Sequence, residues 1–247
     1  VIFLHGGGSN ATNAIRATGW TSKAEQEGFA TVFPEGTGGA GLFRTWNAGT
    51  CCGSAMRNNM SDVEFIVRLK EDFERKFPID KRQVFVAGFS NGGMLAQRLA
   101  NEAPDHFAAV GCVAGAFVCE PSPTEKPISV CIIHGMKDRA VPMMGDDVLR
   151  FPGLIRKSGY KPCQWAVEFW VQRNRCRRTP YVYEDDKIRI ETYSEGVEPT
   201  EVVFCLLKNG NHAWPGGKRE WFFAPRPLSC FSATDFLWDF FRRQERN

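Results

Sequence analysis

The sequence lacks the features that mark several large functional classes. It contains no Cys-x-x-Cys and no His-x-x-x-His spacing, so nothing in it supports a metal site, and we expect neither a metal ion nor a cofactor. Its longest apolar run, residues 107–119, includes two glycines and is too short to span a bilayer. The formal net charge is only +3, which is too balanced to indicate binding to nucleic acid. We therefore expect neither a nucleic-acid partner nor a membrane partner.

A secretory signal peptide is also lacking, and the chain opens directly on the apolar run 1–4. Natural proteins rarely begin inside a core strand, so we expect further residues to precede Val1 in the native protein. The length of 247 residues fits one α/β domain with a large core, and we predict a single domain over residues 1–247.

Cysteine, in contrast, is plentiful, with nine residues. Three lie in apolar, strand-like runs and are predicted to be buried thiols: Cys112, Cys131 and Cys205. Six lie in or near loops, where disulfides are plausible, and the sequence does not choose among their pairings: Cys51, Cys52, Cys119, Cys163, Cys176 and Cys230. This cysteine content favours an oxidising compartment.

The most informative motif lies in residues 84–94, where an apolar strand runs into Gly88-Phe-Ser90-Asn-Gly92. Gly-x-Ser-x-Gly is the pattern of a nucleophile elbow, a strained strand-to-helix turn that lifts a serine hydroxyl above the end of a parallel sheet. Side chains at positions 88 or 92 would clash with the neighbouring strand and the following helix. The context agrees, because the preceding residues are β-rich and residues 93–103 are good helix formers. We predict that Ser90 is a nucleophile.

Strand-like and helix-like runs alternate along the whole chain. Strands are predicted at 1–4, 29–33, 83–88, 108–115, 128–134, 188–194 and 201–207, and helices near 12–28, 61–76, 92–103, 163–174 and 232–243. This alternation predicts a mostly parallel sheet with helices on both faces.

A nucleophilic serine needs a base to take its proton and a third group to orient that base. In an architecture with a nucleophile elbow, the chain order is serine, acid, histidine, each after a later strand. Of the four histidines, only His212 follows the last long strand, and we predict that it is the base. The acid is expected in the loop after the 128–134 strand, where Asp138 has the right offset. Asp146 and Asp147 lie farther along that loop and are the alternatives.

Acyl transfer also needs N–H donors for the developing oxyanion. The first donor is expected to be the backbone N–H of Asn91, which directly follows the nucleophile. The second is expected from Gly7, with Gly6 as the alternative, because glycines let the backbone approach a substrate closely. His5, in the same turn, is predicted to be a structural hydrogen-bonding residue rather than a proton carrier.

Five segments together resemble the polyhydroxybutyrate-depolymerase-like esterases, which overlap the feruloyl and acetylxylan esterases of carbohydrate esterase family 1. They are Leu4-His5-Gly6-Gly7, Trp46-Asn47-Ala48-Gly49-x-Cys51-Cys52-Gly53, Gly88-Phe89-Ser90-Asn91-Gly92-Gly93-Met94, His134-Gly135-x-x-Asp138-x-x-Val141-Pro142 and His212-x-Trp214-Pro215-Gly216-Gly217. The resemblance runs from residue 1 to the terminal helical pattern, residues 233–241, and so covers nearly the whole chain. It implies an α/β-hydrolase fold and a secreted carboxylic-ester hydrolase whose triad is Ser90, Asp138 and His212.

The resemblance implies hydrolysis, through an acyl-enzyme, of feruloyl or acetyl esters on plant-cell-wall polysaccharide. Trp46 and Trp214 are candidates for stacking on a phenolic acyl group or a sugar, and the alternative is that both only fix their loops. A polyhydroxyalkanoate depolymerase is the second candidate, although no added binding domain or linker is visible. A peptidase or thioesterase is a further alternative, because the same triad cleaves those bonds. The ordered triad argues against a non-catalytic binding protein.

Two features depart from the family pattern. Members carry two strands before the His-Gly turn, and these N-terminal strands are lacking here, so the predicted strand 29–33 would become a sheet edge. We expect that a later segment or a second copy covers this edge, the latter giving a homo-oligomer. Asn211 stands where the family usually has glycine, a change that bears on the backbone angles of the loop.

Overall fold

The computed structural model describes residues 1–38, 43–145, 149–151, 154–156, 159–220 and 224–246. In chain order the described elements are β1 (Ile2–Leu4), α1 (Ala11–Thr18), α2 (Trp20–Glu27), α3 (Gly53–Arg57), α4 (Asp62–Lys76), β2 (Phe85–Phe89), α5 (Asn91–Glu102), a 3₁₀ turn (Pro104–His106), β3 (Ala109–Val113), β4 (Ser129–Gly135), β5 (Leu149–Phe151), β6 (Leu154–Arg156), α6 (Cys163–Arg173), β7 (Tyr181–Glu184), β8 (Ile188–Tyr193), β9 (Val202–Leu207) and α7 (Ala233–Phe241).

A seven-stranded sheet, in the order β1-β2-β3-β4-β9-β8-β7, forms the centre of the structure. Strands β1 to β4 and β9 are parallel to one another, whereas β8 and β7 are added antiparallel at one side. The predicted, mostly parallel sheet is therefore confirmed. Strands β5 and β6 form a separate two-stranded ribbon.

Side chains from alternate residues of each parallel strand pack into two apolar layers, one on each face of the sheet. One layer packs beneath α4, α5 and α6 and includes Val86, Val110 and Trp170. The other packs beneath α1, α2 and α7 and includes Ala87 and Phe241. Both faces are covered by helices, as the alternating pattern predicts. Among the helices that the structure describes, none is long and apolar enough to cross a bilayer.

Two predicted elements are wrong in their extent. The predicted helix 12–28 is divided into α1 and α2, because Gly19 adopts φ 77°, a left-handed conformation that ends one helix and starts the next. The predicted strand 29–33 is not a strand of the sheet. It makes a single parallel bridge, between Val32 and Ile2, beside the edge strand β1.

A later segment of the chain does pack on part of this edge. The ring of Phe29 stacks on Trp238 of α7 with ring centroids 3.9 Å apart. Next to it lies an apolar groove of about 510 Å³, lined partly by Phe73 of α4 and by Phe77, the residue that follows α4. The groove lies beside the first residues of β1 and β2, so it is at the opposite end of those strands from the nucleophile elbow.

The cysteines divide as follows. Cys51 and Cys52, neighbours in sequence, are joined as a disulfide. The other four loop candidates are free thiols, of which three are buried and one is exposed: Cys119, Cys163 and Cys176, and Cys230. The three thiols predicted to be buried in strands are buried and free: Cys112, Cys131 and Cys205. Burial raises the pKa of Cys112 to about 12, which makes that thiol a poor nucleophile.

Candidate active site

Ser90 lies at the sharp turn between β2 and α5. Its φ of 53° and ψ of −120° are unusual for a residue with a side chain, which is the strain that a nucleophile elbow stores. This turn is sterically possible because glycines occupy positions 88 and 92. A Cβ on Gly88 would lie 2.2 Å from the carbonyl oxygen of Gly92, and a Cβ on Gly92 would lie 2.1 Å from that of Leu4. The clashes expected from the sequence, with the following helix and the neighbouring strand, are therefore confirmed.

A chain of two hydrogen bonds links the three residues predicted as the triad. The Nε2 atom of His212 is 2.9 Å from the Ser90 hydroxyl oxygen, and its Nδ1 atom is 2.7 Å from Asp138 Oδ2. His212 follows β9 and Asp138 follows β4, and these two strands are adjacent and parallel. The carboxyl ends of β2, β4 and β9 therefore bring together three residues that are distant in sequence. This arrangement can transfer a proton from the serine to the imidazole.

The carboxylate of Asp138 is buried and fully hydrogen-bonded. Its Oδ1 atom accepts the backbone N–H groups of Ala140 and Val141, both at 2.9 Å. Burial, the largest single influence, raises the pKa of Asp138, but the hydrogen bond and charge interaction with His212, the charge interaction with His134 and the hydrogen bond from Val141 together hold the pKa below its usual value. Asp138 is therefore ionised at neutral pH and orients His212. The alternatives Asp146 and Asp147 lie outside the described residues.

His134, at the end of β4, supports the same loop and was assigned no role from the sequence. It is buried, its Nε2 donates to the carbonyl of Val141 at 2.8 Å, and it lies 3.7 Å from Asp138 Oδ2. Burial lowers the pKa of His134, against the opposing charge of Asp138, so the ring is neutral. His134 thereby fixes the turn whose N–H groups hold the carboxylate. Its position directly before Gly135 and four residues before the predicted acid Asp138 is the sequence signal that could have identified it.

The turn after β1 packs against the start of α5. A Cβ on Gly7 would lie 3.4 Å from the Cβ of Asn91, so the two predicted oxyanion donors are neighbours. Asn91 is the first residue of α5, and the helix's own hydrogen-bond pattern provides no acceptor for an N–H at that position. The alternative donor, Gly6, packs instead against the ring of Phe89, 3.0 Å from where its Cβ would be.

His5 lies beneath this turn and is completely buried. Its Nδ1 lies 2.8 Å from the carbonyl of Gly6 and its Nε2 lies 3.0 Å from the N–H of Gly36. These partners define a tautomer with the proton on Nδ1, and burial lowers the pKa of the ring. His5 therefore connects two loops as a neutral residue, which agrees with the structural role expected for it.

Trp46 and Trp214, the two predicted substrate-binding residues, are not at the rim. Trp46 has no exposed surface, and its indole N–H donates to the carbonyl of His5 at 3.0 Å. Trp214 is 3% exposed, and its N–H donates to the Thr234 hydroxyl at 3.0 Å. Neither indole face is available for stacking on a substrate. The prediction is corrected: both residues fix their loops, the alternative that the sequence left open.

Asn211, which precedes the predicted base His212, has an ordinary backbone. It is absent from the residues with positive φ in the described part of the chain. Its side-chain amide donates to the carbonyl of Arg226 at 3.0 Å. A residue with a side chain therefore fits at this position, and the replacement of glycine leaves the contacts of His212 intact.

We expect Asp138→Asn to lower kcat about 10³–10⁴-fold while KM changes little. The amide cannot hold a proton on His212 Nδ1, so the ring favours the tautomer that has no lone pair facing Ser90. Steady-state hydrolysis of p-nitrophenyl acetate measures both constants. Asp72→Asn, on the exposed face of α4, is the matched control and should be unchanged. An Asp138→Asn enzyme with more than a tenth of the parent kcat would show that another group is the acid.

Comparison with known proteins gives one family and several relatives. The model of the family described as "Esterase PHB depolymerase" matches residues 1–155. A "Putative esterase NocK" of Nocardia uniformis subsp. tsuyamanensis is 32% identical over 95% of this chain and 69% of its own length. "Feruloyl esterase B" of Piromyces equi is 26% identical over 82% of this chain and only 37% of its own length.

The solved structures show the same fold. The acetyl xylan esterase from Aspergillus awamori superposes with a TM-score of 0.57 at 15% identity, covering 86% of this chain and 82% of that one. This likeness confirms the fold class expected from the sequence. The chain spans about two thirds of the length of NocK and a little over a third of the Piromyces enzyme.

Proposed function

This chain belongs to the esterase PHB depolymerase family and is a carboxylic ester hydrolase, and from that premise we propose that it works through a serine acyl-enzyme on plant-cell-wall esters. The observation that carries the mechanism is the Asp138–His212–Ser90 hydrogen-bond chain, with separations of 2.7 and 2.9 Å. In this proposal the residues of one domain supply the whole catalytic apparatus.

The acylation step begins with attack of the Ser90 hydroxyl oxygen on the ester carbonyl carbon. The serine proton passes to His212 Nε2, while the charge of Asp138 stabilises the imidazolium that forms. The tetrahedral intermediate then collapses, the bond to the alcohol oxygen breaks, and His212 returns the proton to the departing alcohol. Water repeats the sequence on the acyl-enzyme, releasing the acid and restoring the Ser90 hydroxyl.

The negative oxygen of the intermediate needs donors close to Ser90. We assign this role to the backbone N–H groups of Asn91, which directly follows the nucleophile, and of Gly7, whose residue is a neighbour of Asn91. The Asn91 side chain is unavailable for other tasks, because its amide pairs with the backbone of Trp46 in both directions. That double hydrogen bond fixes the start of α5, so the N–H of Asn91 is held in place before the substrate arrives.

For the substrate class, we propose feruloyl or acetyl esters of plant polysaccharide. The support is that relatives are named as a feruloyl esterase and as a bifunctional acetylxylan esterase/xylanase. Such polymers are outside the cell, so we also propose that the protein is secreted. A polyhydroxyalkanoate is the second candidate, favoured by the family name and by a 32% identical relative named poly(3-hydroxybutyrate) depolymerase.

A direct comparison of substrates tests this choice. Methyl ferulate, acetylated xylan, a short 3-hydroxybutyrate oligomer and a peptide amide are each incubated with the enzyme, and with Ser90→Ala as the blank. We expect the enzyme to act faster on methyl ferulate or on acetylated xylan than on the hydroxybutyrate oligomer or the peptide amide. The measured quantities are kcat/KM for the soluble substrates and the rate of acetate release for xylan. Faster cleavage of the hydroxybutyrate oligomer would replace the proposed substrate class by the second candidate, and cleavage of the peptide alone would reject both.

Self-association through the sheet edge stays a prediction. The edge consists of β1 and the segment around Val32, and the groove next to it is apolar. Sedimentation of the purified chain at several concentrations measures it: a dimer is expected if a second copy covers the edge, and a monomer at every concentration contradicts that.

A further inference from the structure

One aromatic side chain near the candidate site is exposed to solvent, whereas Trp46 and Trp214 are buried. Phe43 has 77% of its surface exposed to solvent. We propose that the Phe43 ring is the surface on which the aromatic part of an ester substrate stacks, which makes it a specificity-determining residue of the proposed feruloyl esterase. This inference rests on the proposed function, whose substrate preference it explains.

The position of Phe43 is next to the oxyanion turn. A Cβ on Gly8 would lie 3.8 Å from Phe43 Cδ1, and no other described residue beyond its chain neighbours has a heavy atom within 4 Å of that position. Gly8 also donates its N–H to the carbonyl of Arg44 at 2.8 Å. Gly7, which precedes Gly8, is a neighbour of Asn91, because a Cβ on Gly7 would lie 3.4 Å from the Asn91 Cβ; Phe43 therefore lies beside the turn that carries one of the predicted oxyanion donors.

The backbone that carries Phe43 is held in place on its C-terminal side. Thr45 pairs with Thr37 through two backbone hydrogen bonds, of 2.8 and 2.9 Å. The guanidinium of Arg44 bonds to the Glu35 carboxylate at 2.8 Å. Phe43 itself has φ 57°, a conformation that costs a phenylalanine energy, and its ring is largely exposed. The exposed aromatic ring is therefore carried by backbone that hydrogen bonds and an ion pair hold in place.

The chemistry of a feruloyl group matches this surface. Its phenyl ring is flat and apolar on both faces, and stacking on phenylalanine removes apolar area of both partners from water. A short aliphatic acyl group gains little from the same surface. Phe43 should therefore favour aromatic over aliphatic acyl groups by about tenfold or more.

The test compares two methyl esters that differ only in the acyl group, methyl ferulate and methyl butyrate. The enzymes are the parent, Phe43→Ala, Phe43→Tyr and the control Phe77→Ala, which removes another exposed phenylalanine at the end of α4. Phe43→Ala is expected to lower kcat/KM for methyl ferulate at least about tenfold and to leave methyl butyrate within about twofold. Phe43→Tyr, which keeps the ring, and Phe77→Ala should retain the parent ratio.

An equal loss on both esters, or no loss on methyl ferulate, would overturn the proposal. A second readout is independent of turnover: calorimetric titration of methyl ferulate into Ser90→Ala and into the Ser90→Ala, Phe43→Ala double variant. The double variant should bind about tenfold more weakly, and equal affinities would also overturn the proposal. An enzyme that cleaves neither ester contradicts the proposed function, while the titration still decides the role of Phe43.

Discussion

Ser90→Ala should lower kcat for p-nitrophenyl acetate by on the order of 10⁴–10⁶, leaving the fold intact. The reason is that the hydroxyl supplies the atom that forms the acyl-enzyme, and no neighbour can replace it. The Ser90 hydroxyl is 2.9 Å from His212, and the turn is held by backbone bonds that alanine keeps, such as Ser90 N–H to the carbonyl of Val113. Stability should not fall, since the strained turn does not depend on the hydroxyl.

Two controls separate loss of chemistry from loss of structure. Thermal unfolding of Ser90→Ala should occur at the parent temperature or slightly above it. Ser122→Ala removes another loop hydroxyl, which accepts a bond from Thr124 near the far end of α5, and it should keep full activity. If Ser90→Ala retained activity within tenfold of the parent, the nucleophile would have to be another residue.

His212→Ala should cost nearly as much as the loss of the serine. Without the imidazole no group accepts the Ser90 proton, and the nucleophile stays a neutral alcohol. Because the triad acts as a unit, losing both residues should cost little more than losing one. The kcat of the Ser90→Ala, His212→Ala double variant should lie within a few fold of the kcat of either single variant. Kinetics of p-nitrophenyl acetate hydrolysis at one neutral pH measure all three.

His106→Ala is the matched control for this change. His106 is in the 3₁₀ turn after α5, partly exposed and 3.9 Å from Glu71, so its loss should leave kcat unchanged. If His106→Ala lowered kcat and His212→Ala did not, the assignment of the base from the order of the strands would be wrong.

The residues of the candidate site were predictable because they obey local rules. The elbow needs glycines at 88 and 92 for steric reasons, and the structure gives clashes of 2.2 and 2.1 Å for any Cβ there. With four histidines in the chain, the rule that each triad member follows a later strand is enough to select His212. The supporting role of His134 was not predicted from the sequence, because it depends on the turn at Val141, and the path of that turn is set by tertiary contacts.

The predictions that failed depend on where a side chain or strand lies in three dimensions. Trp46 is beside the oxyanion turn, but its indole points inward to the carbonyl of His5, which a motif cannot reveal. The residue that is exposed, Phe43, belongs to no motif. Strand β7 was missed because its four residues are all exposed and show no apolar alternation. The break at Gly19 was missed because an isolated glycine is tolerated within a helical pattern.

Covalent labelling tests the central claim most directly. An alkyl fluorophosphonate reacts with an activated serine: the serine oxygen bonds to phosphorus, fluoride leaves, and His212 takes the proton. We expect the lost fraction of esterase activity to equal the fraction of chains that carry one phosphonyl group. Tandem mass spectrometry should place that group on Ser90. Ser90→Ala and His212→Ala should remain unlabelled. Full inhibition with the group on any other residue, or full activity of a chain labelled at Ser90, would contradict the account.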